Sequence, residues 1–345
     1  MSDMHSRILL KSKLPELLGG LLENHHVIAP VDAGDYSVYK PLSKAADLCL
    51  DYLRPLKSAK EVFFPQNEVM FYFNQRTQKM VEPEGSDKGA VLFGVPPCDL
   101  AGIEAQDRLF SSGDFIDVYY LRRRKQTIIV GLGCPQPGDA CFCHYFELDR
   151  FSSSLADLFL VPLEDRYYVQ VNTNQGENLV KHLPEADEKD ESDLQRLKET
   201  PAEFRTEPIP LDQLAGALSE HFDSPLWDEI ATRCIGCAAC TFVCPTCHCF
   251  DITDDVKKDI GRRVRTWDGC MFPKFTLHAS GHNPRTSSGQ RMRQRVLHKF
   301  SYFKDNQGII SCTGCGRCIE VCPVNMDIRE VLKTLSEQMV AASEK

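Results

Sequence analysis

Cys234-Ile-Gly-Cys237-Ala-Ala-Cys240-Thr-Phe-Val-Cys244-Pro245 is answered later in the chain by Cys312-Thr-Gly-Cys315-Gly-Arg-Cys318-Ile-Glu-Val-Cys322-Pro323. Both runs have the spacing C-x2-C-x2-C-x3-C-P. Two-residue gaps make a tight local loop whose three thiolates converge on one point. The fourth cysteine follows three residues later, and the turn aims it elsewhere. Proline after it has a fixed φ and no N–H, which suits a chain leaving a crowded centre. Four thiolates at four corners are what a [4Fe–4S] cubane needs, and this spacing supplies them.

In two-cluster ferredoxins the fourth cysteine of each run binds the other run's cluster. The expected ligand sets are therefore crossed: Cys234, Cys237, Cys240 and Cys322 for the first cluster, and Cys312, Cys315, Cys318 and Cys244 for the second. Structural zinc is the competing reading. Zinc sites use paired C-x2-C units and four ligands, and have no use for two four-cysteine runs ending in C-P.

The chain of 345 residues has room for two or three domains, and its 42% hydrophobic and 26% charged content is that of a soluble protein with a sizeable core. A net charge of −9 argues against nucleic acid as a partner. No apolar run reaches the roughly 20 residues of a membrane span, and Met1-Ser-Asp-Met-His-Ser-Arg7 has no signal pattern. Sixteen cysteines without a signal segment imply reduced thiols and metal, hence a cytoplasmic and anaerobic setting.

The first two hundred residues alternate strand and helix signals. Leu9 to Leu22 has a helical period, and Val27 to Val31 and Asp35 to Tyr39 read as strands. Cys49 sits in an apolar, helical-looking stretch and reads as a small buried hydrophobe. Val62-Phe-Phe-Pro-Gln and Glu68 to Phe73 read as strands. Ala90 to Val95 is a continuous apolar run that delivers Cys98; a helix with Asp99 as N-cap follows. Thr127 to Gly133 is the next buried strand and delivers Cys134. Strand, helix, strand implies a parallel layer, and ligands of such sheets sit beyond the carboxyl ends of the strands. With Cys141 and Cys143 close behind, Cys98, Cys134, Cys141 and Cys143 suit a third [4Fe–4S] cluster. No standard spacing supports that site and a C-x-C step is tight for a cubane, so a set of unligated thiols stands beside it. Asp157 to Leu163 and Arg166 to Val171 read as a hairpin.

Residues 184–203, dominated by charge, read as a solvated helix or a linker, and Leu211 to Phe222 as an amphipathic helix. The expected architecture is an α/β domain with a mixed or parallel sheet over 1–205, followed by a mainly α-helical domain over 206–345. The latter carries a bacterial-type two-cluster ferredoxin-like module with an insertion between its motifs. The insertion contains Cys247, Cys249 and Cys270, one thiol short of a further cubane. They read as packing around the clusters or as accessory ligands. Its arginine-rich stretch, Arg285 to Lys299, is most simply a solvated helix face; the functional reading is a basic collar that raises cluster potential or docks an acidic partner. There is no dinucleotide or phosphate-loop fingerprint, so no flavin or nucleotide site of its own is expected.

The stretches C-I-G-C-A-A-C-T-F-V-C-P-T-C-H-C-F-D, R-T-W-D-G-C-M-F and R-Q-R-V-L-H-K-F resemble the A subunit of anaerobic sulfite reductases and the β subunit of NAD(P)-linked nickel–iron sulfhydrogenases. F-F-P-Q-N-E, G-V-P-P-C-D-L-A-G-I-E-A-Q-D and C-F-C are similar to the same proteins, so the resemblance covers about residues 10 to 335. It implies a non-catalytic subunit of a hetero-oligomeric oxidoreductase. Such a subunit passes electrons between a flavin subunit that handles NAD(P)H and a separate catalytic subunit of hydrogenase, sulfite reductase or heterodisulfide-reductase type. The alternative is a redox enzyme with its own open-iron cluster in the N-terminal domain.

Overall fold

The computed structural model describes residues 6–83 and 89–340; the signal-segment reading at Met1 to Arg7 lies mostly outside them. Eleven strands are described: β1 (Arg7–Leu10), β2 (His26–Asp32), β3 (Ser37–Pro41), β4 (Asn67–Asn74), β5 (Lys79–Val81), β6 (Ala90–Val95), β7 (Thr127–Leu132), β8 (Leu158–Pro162), β9 (Arg166–Val171), β10 (Phe250–Lys257) and β11 (Ile260–Trp267). Seven make a mixed sheet in the order β1-β9-β8-β7-β6-β2-β3. The central strands β2, β6, β7 and β8 run parallel; β3 and β9 run antiparallel to them, and β1 pairs antiparallel with β9. Val91, Leu92 and Phe93 are fully buried, as expected for a strand covered on both faces.

The helix Leu14–Asn24 covers one face through Leu14, Leu18 and Leu21, a four-then-three spacing that puts them on one stripe. Pro97–Phe110 and Val118–Lys125 cover the other face, where Leu100, Ile103, Phe110 and Tyr120 pack on β6 to β8. The charged stretch 184–203 contains a helix, Glu188–Glu199, started by a capping box between Asp187 and Asp190.

Three expectations change. The helical period that begins at Leu9 starts with edge strand β1, and the helix proper opens at Leu14-Pro15. Val62-Phe-Phe is the end of a short helix, Lys60–Phe63, and not a strand. The C-terminal part is not simply helical: β10 and β11 form an antiparallel hairpin whose second strand pairs with β4, giving a sheet of order β10-β11-β4-β5. That sheet draws strands from both sides of residue 205. Among the described residues no helix is long and apolar enough to cross a membrane.

A buried ion network fixes this second sheet to the first layer. Arg265 of β11 holds Glu68 of β4 through Nε at 3.1 Å and Nη2 at 2.5 Å, and its Nη1 meets Asp117, the N-cap of Val118–Lys125. Arg265 is 2% and Glu68 5% exposed. Trp267 locks the end of β11 by donating from Nε1 to the Phe64 carbonyl at 3.1 Å and stacking on the Phe64 ring. Removing one member of such a network strands a buried charge. Arg265→Met is expected to lower stability by about 3–5 kcal/mol, and adding Glu68→Gln should recover part of that loss. Anaerobic urea unfolding followed by circular dichroism measures both.

Candidate functional site

Each cysteine run folds as a loop and one helical turn, Ala239–Phe242 after the first and Arg317–Glu320 after the second. The backbones match position by position. Gly236 and Gly314 have φ of +69° and +62°, and Ala238 and Gly316 have +59° and +78°. These left-handed turns are what bring three thiols in one short segment to face one point.

Cys234, Cys237 and Cys240 line one cavity together with Cys322. Cys312, Cys315 and Cys318 line the next together with Cys244. The fourth cysteine of each run thus sits with the other run's three. The cavities share Cys240, Cys318 and Arg295 in their walls. Cys237 is exposed, so the first cavity reaches the surface, whereas Cys244 and Cys315 are buried.

The electrostatics fit an anionic iron–sulfur group. Burial pushes the Cys312 thiol up to about 12 and raises Cys240 and Cys318 as well, so thiolates here need a cation. Arg295 is 4% exposed, lies between the two thiol sets, and its Nε has no hydrogen-bond partner among the described residues. A buried guanidinium with an unused donor is unfavourable unless an anion meets it.

Arg295 belongs to the helix Ser288–Leu297, capped by Ser287 and Gln290, which continues through a π-helical turn at His298–Tyr302. Arg291, Arg295 and Lys299 recur every four residues and are 9%, 4% and 6% exposed. The arginine-rich stretch is therefore not a solvated face. Its i, i+4, i+8 cations point inward while Arg293 lies outside against the Phe222 ring. Lys299 Nζ donates to Cys244 Sγ at 3.3 Å, to Thr246 Oγ1 at 3.0 Å and to the Ser311 carbonyl at 3.1 Å.

The three accessory cysteines pair with other thiols. The neighbouring Cys247 thiol, with the Lys299 and Lys60 charges, holds the Cys244 thiol well below its ordinary range. Cys270 does the same for Cys249, held down to about 7. His248 packs edge-on against His298 and accepts no charge, since burial lowers it to about 3. Lys60 is 2% exposed, donates to the Cys247 carbonyl at 2.8 Å, and sits 4.1 Å from the centre of the Trp267 ring.

The N-terminal cysteines lie at the carboxyl ends of β6 and β7. Cys134, Cys141 and Cys143 feel one another: burial and then the Cys141 and Cys134 charges push Cys143 up to about 12. Cys98 is pushed well up by burial, and its charged neighbours are Asp99, Arg317, Cys315 and Arg54. The four thus fall as three and one, with Arg54 close to both Cys98 and Cys134. Cys49 lines the same groove as Cys134 and Arg54. Sequence reasoning missed it because the stretch around it is loop after a 3-10 turn at Ala45–Asp47, not a packed helix.

Two contacts join this group to the ferredoxin-like loops. Helix Pro97–Phe110 presents Asp99, Gly102 and Gln106 on one face. Asp99 pairs with Arg317, a Cβ on Gly102 would lie 2.4 Å from the Pro245 Cβ, and Gln106 Nε2 donates to the Pro245 carbonyl at 2.9 Å. Asp99 is thus not the N-cap, which is Pro96. The Ala140–Cys143 segment interlocks with the second cysteine loop: Phe142 N donates to the Gly314 carbonyl at 2.8 Å, and Phe142 is buried in the C-terminal core. A Cβ on Gly314 would lie 2.4 Å from the Cys143 nitrogen. Gly314→Ala is expected to separate these segments and lower iron content per chain. Gly308→Ala, equally strained at φ +76° but with only the far end of Arg108 within 4 Å, should cost about 1 kcal/mol and keep its iron. Iron analysis after anaerobic purification distinguishes the two.

Comparison with known proteins agrees with this geometry. Residues 233–326 match the family described as 4Fe-4S dicluster domain. Over 331 residues, 94% of this chain and 97% of the relative, the sequence is 34% identical to sulfhydrogenase 2 subunit beta of Pyrococcus furiosus. No solved structure matches.

Proposed function

The chain belongs to the family of sulfhydrogenase beta subunits, and from that membership we propose that it is the iron–sulfur relay of a hetero-oligomeric anaerobic oxidoreductase. It passes electrons between a flavin subunit that handles NAD(P)H and a separate catalytic subunit of hydrogenase, sulfite reductase or heterodisulfide-reductase type. The observation that carries this reading is the pair of adjacent four-thiol cavities sharing Arg295. Bound [4Fe–4S] clusters supply one-electron carriers at low potential.

The protein's own residues hold and tune them. Cys234, Cys237, Cys240 and Cys322 ligate the first cluster; Cys312, Cys315, Cys318 and Cys244 ligate the second. Lys299 donates to the Cys244 sulfur, and hydrogen bonds to a ligand sulfur raise the potential of the iron it binds. Cys98, Cys134, Cys141 and Cys143 hold a third cluster on the α/β side, with Arg54 beside them. The chain itself turns over no substrate, and its α/β part (1–205) and its dicluster part (206–345) share the sheet β10-β11-β4-β5.

Crossed ligation makes a specific prediction. Cys322→Ser, in the second run, should abolish the spectroscopic signal of the first cluster and spare the second. Cys244→Ser should do the reverse. Anaerobic reconstitution with low-temperature EPR of the reduced protein reads both, and uncrossed losses would overturn the assignment. Turnover of hydrogen, sulfite or NAD(P)H by the purified chain alone would overturn the relay role.

A further inference from the structure

Arg54 stands between the second cavity and the N-terminal cysteines as Arg295 stands between the first cavity and the second. Its side chain is 6% exposed. Its Nε has no hydrogen-bond partner among the described residues. Its Nη2 lies 2.8 Å from Oε2 of the half-exposed Glu320, without hydrogen-bond geometry. The guanidinium lines the groove beyond the carboxyl ends of β6 and β7, with Gly94, Pro96, Gly133, Cys49 and Cys134. Glu320 is the carboxylate in direct contact, and Cys134 lines the same groove.

The contrast with Arg317 is informative. Arg317 is equally buried, but every nitrogen of its guanidinium is matched: Nη1 and Nη2 by Asp99 at 2.5 and 3.0 Å, and Nε by the Pro55 carbonyl at 2.9 Å. Arg54, one residue before Pro55, meets a carboxylate at Nη2 alone, that of the half-exposed Glu320. Two buried guanidinium groups thus lie side by side, one neutralised within the protein and the other only in part. A buried cation with an idle donor requires an anion. A cubane held by four thiolates is one, and its sulfurs accept hydrogen bonds.

We propose that Arg54 is the positioning residue of the third cluster: its Nε donates to a sulfur of the cubane held by Cys98, Cys134, Cys141 and Cys143, and its charge is shared with the second cluster through Cys315. This rests on the third-cluster reading above. The interlock of Ala140–Cys143 with the second cysteine loop supplies the closeness: Cys141 Sγ lies 3.9 Å from the Cys315 carbonyl, and a Cβ on Gly316 would lie 2.5 Å from the Ala140 carbonyl. A nearby positive charge favours the reduced, more negative form of a cluster, so Arg54 raises the potentials of the second and third clusters together. It leaves the first, at the exposed Cys237 end, unchanged.

The test compares wild type, Arg54→Gln, Arg54→Lys and Glu320→Gln in the full chain. Iron and sulfide analysis is combined with an EPR-monitored redox titration. Wild type should carry about twelve irons per chain, four for each of three cubanes. Arg54→Gln should keep the first cluster's potential and shift the other two to lower potential, or lose the third cluster's iron alone. Arg54→Lys, which keeps the charge but not the planar donor, should restore part of the shift. Glu320→Gln, which removes the opposing carboxylate, should shift the same two clusters the other way. About eight irons in wild type would overturn the third-cluster reading and this proposal with it. About twelve irons with unmoved potentials in Arg54→Gln, or an equal shift in all three clusters, would overturn the role of Arg54 alone.

Discussion

The ion pair between Asp99 and Arg317 is the constraint on which the arrangement of the sites depends. Asp99 is 1% and Arg317 0% exposed, and the pair is bidentate. Each residue is adjacent in sequence to a candidate ligand, Cys98 on one side and Cys318 on the other. The Ala59 amide completes Asp99 at 3.1 Å. A buried pair contributes little net stability when complete, and breaking it costs about 3–5 kcal/mol because the survivor is left charged in a low dielectric. Its value here is specificity. Nothing apolar would fix the rotation of helix Pro97–Phe110 relative to the second cysteine loop, because a helix face of Gly102, Ala105 and Ile103 would slide. With Asp99 pinned, Gly102 and Gln106 fall on Pro245 one and two turns further along.

Charge is organised in the same direction throughout the interior. The chain is acidic overall at −9, yet Arg54, Lys60, Arg295, Lys299 and Arg317 are all buried around cysteines. Carboxylates answer only some of them. In the absence of sulfur anions such a concentration of like charge would oppose folding, since each buried cation has lost its water and repels the next. Folding and metal binding are then linked: the thiols that burial keeps protonated ionise when iron takes the proton's place, and the resulting anions are what the cations need. The pairs Cys244–Cys247 and Cys249–Cys270 show the same preference on a small scale, with one sulfur of each pair held toward the thiolate by its neighbour.

Much of this was legible in the chain because it is local. The C-x2-C-x2-C-x3-C-P spacing encodes loop geometry directly, and the apolar runs at Ala90–Val95 and Thr127–Leu132 could only be buried strands. The errors come from pairings between distant segments. Nothing near Phe250 announces that β11 will pair with β4 nearly two hundred residues earlier: Phe250, Ile252 and Val256 alternate along the exposed β10, but alternation does not name a strand's partner. Val62-Phe-Phe has strand-forming side chains but lies under Trp267 and beside Val118–Lys125, so packing decided for a helical turn. The inward cations were visible as an i, i+4, i+8 pattern, but composition alone favours a solvated face for such a run. Only the sulfur-lined cavities explain why it is buried.

The position of the exposed thiol bears on direction in the molecule. Cys237 and the neighbouring Ile235, 65% exposed, put the first cavity at the surface, whereas Cys244 and Cys315 of the second are buried. The groove of Cys49 and Cys134 opens beyond the strand ends on the α/β side, joined to the second loop by the Phe142 to Gly314 hydrogen bond. The interlocking glycines therefore do more than save space. Substituting a side chain at Gly314 or Gly316 would push the α/β segment away from the second cysteine loop, because a Cβ there would lie 2.4 Å from the Cys143 nitrogen or 2.5 Å from the Ala140 carbonyl.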